Sequence, residues 1–161
     1  MFREMRRAER ALDKEACEDI LSRGETCVLA LMGDDGYPYA VPVNYCYTDG
    51  KVYIHCAKEG HKLDAIRRCD KGSLTVVGCA EILPEKHSTH YQSVIAFGRF
   101  RILEDEGEMR RALSLFAARL APEESEEARL REIDRWFPSV SVLEFTPEHI
   151  SGKCSLSCLS S

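Results

Sequence analysis

The sequence lacks most of the short signatures that identify enzymes. It contains no GxGxxG and no GxxxxGK, so neither the dinucleotide fingerprint nor the Walker phosphate loop is available. No GxSxG or HExxH occurs, which leaves serine-hydrolase and zinc-protease chemistry without their usual frames. The absence of any CxxC removes the paired ligands of zinc ribbons and the dithiol of thioredoxin-like enzymes. Long apolar runs are missing too: the longest, Cys27 to Met32, has six residues, far too few to span a bilayer. There is no basic excess, since the net charge is −5, and this argues against a general nucleic-acid binder. The opening MFREMRRAER is charged throughout with no apolar stretch behind it, so no secretory leader is expected and a cytoplasmic protein is.

What is present fits a globular chain. With 161 residues, 44% hydrophobic and 30% charged, it can bury a core without disulfides or a structural metal. A single domain is expected over residues 1–153, followed by a short disordered tail at 154–161. The eight cysteines (17, 27, 46, 56, 69, 79, 154 and 158) are spread almost evenly, several within apolar runs. They read as small buried hydrophobes ahead of metal or redox chemistry. His55–Cys56 followed by His61 is the nearest approach to a metal pattern, and no metal site is expected from it.

Along the chain, Asp13 offers a helix N-cap, and Ala16, Cys17, Ile20 and Leu21 recur at helical spacing before Gly24. Three strand-like segments follow, TCVLALM, YPYAVPVNYCYT and KVYIHCA, separated by GDDG and TDG turn signals, which predicts a meander. Pro38 and Pro42 lack a ladder donor, so the middle segment is expected at an edge or a bulge. KLDAIRR reads as a short helix, SLTVVGCAEILP and SVIAFGRFRILED as strands, and Gly98 within the latter as a bulge or close approach. Two helices are predicted over residues 106–120 and 123–137, then a sixth strand, SVSVLEFTPEHISGK. Six strands with two or three helices predict an antiparallel, mainly β barrel, closed or split. The second and fifth strands look buried on both faces, so a partner subunit is expected to cover the outer one.

The most informative stretch is HCAKEGHKLDAIRR, residues 55–68. Between Lys51 and Lys71 six lysines and arginines face three acids, in a chain that is acidic as a whole. A strand end, Gly60 and a helix N-terminus form an anion site, to which Lys58, His61 and Lys62 would add charged donors. Equally, lysine-rich helix starts are often no more than solvated surface. Tyr37, Tyr39, Tyr45, Tyr47 and Tyr53 either line a ring-binding pocket or pack across strands. Trp136 reads as core or interface.

The order GxPYxVPVNYxY, DGKVYIHCAKEGHKLDAIRR, SVIAFGRFRILED and HISGK resembles the pyridoxamine 5′-phosphate oxidase-like flavoproteins, and within them the nitroimidazole-resistance branch. The likeness runs from about Glu4 to Lys153. It implies a six-stranded split barrel, homodimeric, with two flavin sites between the subunits. It also implies that Val41, Pro42, Val43 and Asn44 line the edge of the flavin ring through their backbone, and that His55, Cys56 and Ala57 run beside the ring. Lys58, His61 and Lys62 are then placed to hold the FMN phosphate, and Gln92 and Ser93 to touch the cofactor from the opposite subunit. His55 is the implied proton donor. The tail CSLSCLSS lacks the arginine- and tryptophan-rich segment of true pyridoxamine phosphate oxidases, so vitamin B6 oxidation is not expected. The function implied is an FMN-dependent reductase of a small nitroaromatic or similar acceptor. The alternatives are a non-catalytic flavin or haem carrier or redox sensor, an F420-dependent reductase, or FAD in place of FMN.

Overall fold

A computed structural model describes residues 2–158; the last three residues of the expected tail lie outside the described residues. The fold is mainly β with four helices. Asp13 caps α1 (Lys14–Arg23) by accepting a hydrogen bond from the Ala16 amide at 2.8 Å. The turns after β2 (Thr26–Met32) and β4 (Cys46–Thr48) place Asp35, Gly36, Asp49 and Gly50 at positive φ, where glycine and aspartate are tolerated.

The expected meander is not formed, because the second segment is two strands. β3 (Pro38–Asn44) pairs with β2, whereas β4 pairs with β5 (Lys51–Ala57). Between β3 and β4 stands one residue, Tyr45, fully buried, whose hydroxyl donates to the Leu21 carbonyl at 2.7 Å. The sheet order is β3-β2-β6-β7-β8-β5-β4, with β6 (Lys71–Leu83), β7 (Ser88–Ile102) and β8 (Val140–Cys154) at its centre. β1 (Ala11–Leu12) adds to β8. The two edges of the sheet are therefore consecutive in the chain and one residue apart, so the sheet must curl until they meet. That is the split barrel expected from the sequence: six long antiparallel strands plus the short β1 and β4. As expected from its prolines, β3 is an edge strand. At Gly98 the β7–β8 register shifts, and a Cβ there would collide with the Thr146 carbonyl.

The barrel core gathers Leu29, Val52, Ile54, Leu74, Val94, Leu143 and Phe145, and α1 and α2 (His61–Arg68) pack their apolar faces into it. β3 and β7 alternate instead of being buried on both faces, so within this chain their outer residues are open. A second cluster forms outside the barrel. There α3 (Glu106–Leu120) and α4 (Glu126–Trp136) pack Ala112, Leu113 and Ile133 against Val140 and Val142 of β8. α3 matches its expected span. α4 begins three residues later than expected because Ser125 caps it, accepting from the Ala128 amide. Arg110 ties the two helices together, bridging Glu106 and Asp134 at 2.9 and 2.6 Å.

The expected boundary after Lys153 falls within β8. Cys154 pairs with Gln92, and the Ser155 amide donates to the Tyr91 carbonyl. Among the described residues no helix is long and apolar enough to cross a membrane.

Candidate functional site

β5 carries the site. Its odd residues alternate outward, so His55 pairs beside Val142 on the outer face of the sheet, and Cys56, beside Ser141, packs against the barrel core. Over His55 the α3–α4 hairpin closes a cleft of about 680 Å³, walled by Leu113, Phe116, Ile133 and Val140, with Trp136, Arg129 and Glu132 toward its rim. The His55 ring meets the buried Phe116 edge to face, centroids 4.7 Å apart. It reaches solvent through the mouth of the cleft but is crowded by apolar atoms, and this desolvation pushes its pKa below the ordinary imidazole value. His55 is therefore neutral at pH 7. Burial raises the Cys56 thiol, with the nearby Lys62 ammonium opposing that rise in part.

Beyond Ala57 the chain turns at Gly60, where φ is 133° and nothing stands within 4 Å of where a Cβ would be. Only glycine adopts that backbone without strain, and the open space lets an anion approach the main chain. α2 opens here with the amides of His61 and Lys62, while those of Leu63 and Asp64 donate to the Gly60 carbonyl. Lys58 is exposed there and Lys62 half-buried. His61 is less free: its ring stacks on Tyr39 at 4.0 Å and its Nε2 lies 3.4 Å from Asp34, which also holds Arg68. β3 approaches β5 here, Val41 and Val43 turning into the core and Pro42 and Asn44 outward. Asn44 donates to the Glu25 carbonyl.

The structure thus brings His55, Cys56, Ala57, Lys58, His61, Lys62 and residues 41–44 to one end of the barrel. Gln92 and Ser93 are elsewhere. His55 is registered on Val142 of β8, but Ser93 is registered on Lys153, eleven residues further along that strand. At ~3.3 Å per residue the separation is about 36 Å of strand. The five tyrosines form no common pocket. Tyr45 is core, Tyr37 is exposed, Tyr39 stacks on His61, and Tyr53 donates to Glu144.

Sequence reasoning missed the hairpin's part in the site. Phe116 belongs to the helix face it identified, but nothing local says that this face roofs His55. Trp136, expected in the core or an interface, is 56% exposed at the cleft rim, its Nε1 donating to Glu132 and its ring under Arg135. Among the described residues no group of three histidine, cysteine or acidic side chains is placed to hold a metal ion.

A phosphate-bearing molecule with a flat, largely apolar ring suits this end of the barrel. The cations and free amides lie at the start of α2, and the unpaired edge of β3 and the apolar cleft flank the end of β5. The sequence profile of the family described as pyridoxamine 5′-phosphate oxidase matches residues 13–154. No curated protein sequence matches the chain. Among solved structures it is similar to a Bacteroides thetaiotaomicron protein described as a 5-nitroimidazole antibiotic resistance protein, at 23% identity and a TM-score of 0.72, over 89% of this chain and 85% of that one. It also resembles a FAD-binding protein of Mesorhizobium loti, 24% identical with a TM-score of 0.60, over 91% and 97%. A third is the flavocytochrome Anf3 of Azotobacter vinelandii, 19% identical with a TM-score of 0.73, over 94% and 72%. Identities this low speak for the fold alone.

Proposed function

The chain belongs to the pyridoxamine 5′-phosphate oxidase family, and from that premise we propose that it is a flavin-dependent reductase, a homodimer holding FMN between its subunits and reducing a small, flat aromatic acceptor. The observation that carries this reading is the junction at the end of β5. There a basic helix start and an apolar cleft are three residues apart, matching a phosphate joined to a planar ring.

Bound FMN would supply the electron transfer from a reduced donor to the acceptor. The chain's own residues bind and orient. Lys58 and Lys62, with the first amides of α2, hold the phosphate, and His61 joins them once it leaves Asp34. Residues 41–44 offer the unpaired backbone edge of β3 to the rim of the ring, less the donor that Pro42 lacks. Phe116, Leu113 and Ile133 exclude water from the acceptor's side. His55, kept neutral by its surroundings, donates a hydrogen bond from its N–H to the acceptor as negative charge builds there, and passes a proton on only after its second ring nitrogen has taken one from solvent.

Two features support the dimer. The outer face of β2, β6 and β7 carries Val28, Val77, Ile95 and Phe97, open by 39%, 62%, 39% and 41%, an uncovered apolar patch across adjacent strands. And if Gln92 and Ser93 touch the cofactor, as the family resemblance implies, a second copy supplies them, since about 36 Å of strand separates them from His55.

The test begins with the purified protein mixed with FMN, freed of excess and examined by absorption. One flavin per subunit is expected. FAD, F420 and haem are titrated in the same way, and retention of one of these in place of FMN would replace the cofactor named here. The loaded protein is then reduced with NAD(P)H or dithionite and its reoxidation timed with and without a nitroaromatic. The resemblance to the Bacteroides protein makes a 5-nitroimidazole the first acceptor to try. Acceleration supports the reductase. Reoxidation indifferent to every acceptor would leave a flavin carrier.

A further inference from the structure

The sequence reads the cysteines as packing material, and four of the eight are buried. Cys17, Cys27 and Cys46 are buried, and burial pushes Cys27 up to about 12, out of nucleophilic reach at neutral pH. The far end of β8 is different. Cys154 closes the strand, fully buried, its thiol facing the Arg10 carbonyl at 3.7 Å. The next residue keeps the ladder going, the Ser155 amide donating to the Tyr91 carbonyl at 2.9 Å and the Tyr91 amide to Ser155 Oγ at 3.4 Å. The chain then turns sharply over Leu156–Cys158, the Cys158 amide donating back to the Ser155 carbonyl. This turn brings Cys158 Sγ to 3.5 Å from His90 Nε2 and 3.6 Å from Nδ1, and to 3.2 Å from Ser155 Oγ. The same thiol donates to the Tyr91 carbonyl at 3.4 Å, and burial, with Cys158 nearby, pushes the Cys154 thiol up. Cys158 is half-buried and reachable, while Cys154 behind it is not.

A reachable thiol against an imidazole, with a second thiol four residues back at the start of the same turn, is the arrangement of a thiol oxidised in two steps. We propose that Cys158 is a peroxide-reactive cysteine, with His90 taking its proton and Cys154 resolving it to a disulfide. In the first step the Cys158 proton passes to His90 and the thiolate attacks one oxygen of a hydroperoxide. The S–O bond forms, the O–O bond breaks, and the alcohol or water leaves carrying that proton. In the second the Cys154 sulfur attacks the sulfenic sulfur, the S–S bond forms, the S–O bond breaks, and water leaves. Two thiols lose two electrons and two protons in all, and the hydroperoxide gains them. The product ties the C-terminal turn to the last residue of β8, beside Gln92 and Lys153.

The sequence makes the test direct, because trypsin cuts after Lys153 and releases both cysteines in the one peptide 154–161. The full-length protein is reduced, freed of reductant, treated with a few equivalents of hydrogen peroxide, alkylated under denaturing conditions and digested. The expected peptide is lighter by two hydrogens and unalkylated, and it forms before Cys69 or Cys79 is modified. In Cys154→Ser, Cys158 is expected to stop at the sulfenic acid, trapped by dimedone. In Cys158→Ser, Cys154 should remain alkylatable. His90→Ala should slow thiol loss on the order of a hundredfold, the scale of a lost general base. A peptide that keeps both thiols while other cysteines oxidise would overturn the proposal. So would the same peroxide rate with and without His90, for the role given to that residue. The first measurement is made on the unaltered chain, so a variant that fails to fold does not remove the test.

Discussion

The two ends of β8 are built in opposite ways. From Val140 to Phe145 every residue is buried, because the barrel core takes one face and the α3–α4 hairpin the other. From Thr146 onward only the inner face is covered by the sheet and its helices. Outside lie His149 and Ser151, with Phe97 and Ile95 beside them and Phe2 stacked on His149 at 4.8 Å. The chain covers one half of β8, which with β7 is its longest strand, and leaves the other half open. Candidate site residues occur at both ends, His55 at the first and Ser93 at the second. A covered end and a bare end in one strand are what a two-fold assembly needs if each copy completes the other's site.

The largest effect tests the covered end. Leu143→Ala should cost roughly 2–5 kcal/mol in urea unfolding, the usual price of a cavity in a packed core. Thr146→Ala, three residues on and exposed, should stay within about 0.5 kcal/mol. Equal losses would erase the contrast. Next is the bare end: Phe97→Asp should weaken self-association roughly thirtyfold or more, about 2 kcal/mol, as a charge buried at an interface hot spot would. Sedimentation should find monomer, and flavin retention should fall with it. A dimer that survives would put the interface elsewhere.

Lys62→Ala is expected to weaken FMN binding by roughly 1.5–3 kcal/mol through loss of a charge-assisted contact. Arg67→Ala, which removes a cation paired with Asp64 on the surface of the same helix, should leave the titration unchanged. If both weaken binding alike, general charge and not a phosphate site is at work.

The smallest expected effect is in acid. Burial alone would raise the pKa of Glu144, but hydrogen bonds from Lys51 and Arg101, with their charges, outweigh it and the net direction is down. Its contribution is therefore present above the unfolded carboxyl value of about 4.3 and is lost as pH falls through the lower folded value. His55 shifts the same way: the unfolded ring takes a proton first, so stability falls as pH drops below about 6.5 toward the folded value. Both groups sit at the covered end. Hydrogen exchange in mild acid should open Val140–Phe145 sooner than neutral-pH stability suggests, and Glu144→Gln should flatten the lower limb of that response. Uniform opening along β8 would show that the two ends titrate alike.

Much of this fold was legible along the chain, because its signals are local. Period-two alternation marked the strands, Asp13 and Gly24 bounded α1, and the basic start of α2 stood out against an acidic background. The parts that were not legible depend on distant partners. The YPYAVPVNYCYT segment reads as one strand, and only the bonding of Tyr45 to Leu21 shows why it divides between the two edges of the sheet. Phe116 and Trp136 look like ordinary helix residues until the hairpin folds over β5. Cys154 and Cys158 are an unremarked tail pair until the last turn sets them on His90.

By itself, then, the sequence determined most of the strands, the helices and the residue types at the end of β5. Those follow from backbone propensity, apolar period and charge within a few residues. The tertiary structure alone decided which face each residue presents and what stands across from it. It put His55 under an apolar roof and Ser93 at the other end of β8, because pairing register and packing couple residues dozens of positions apart.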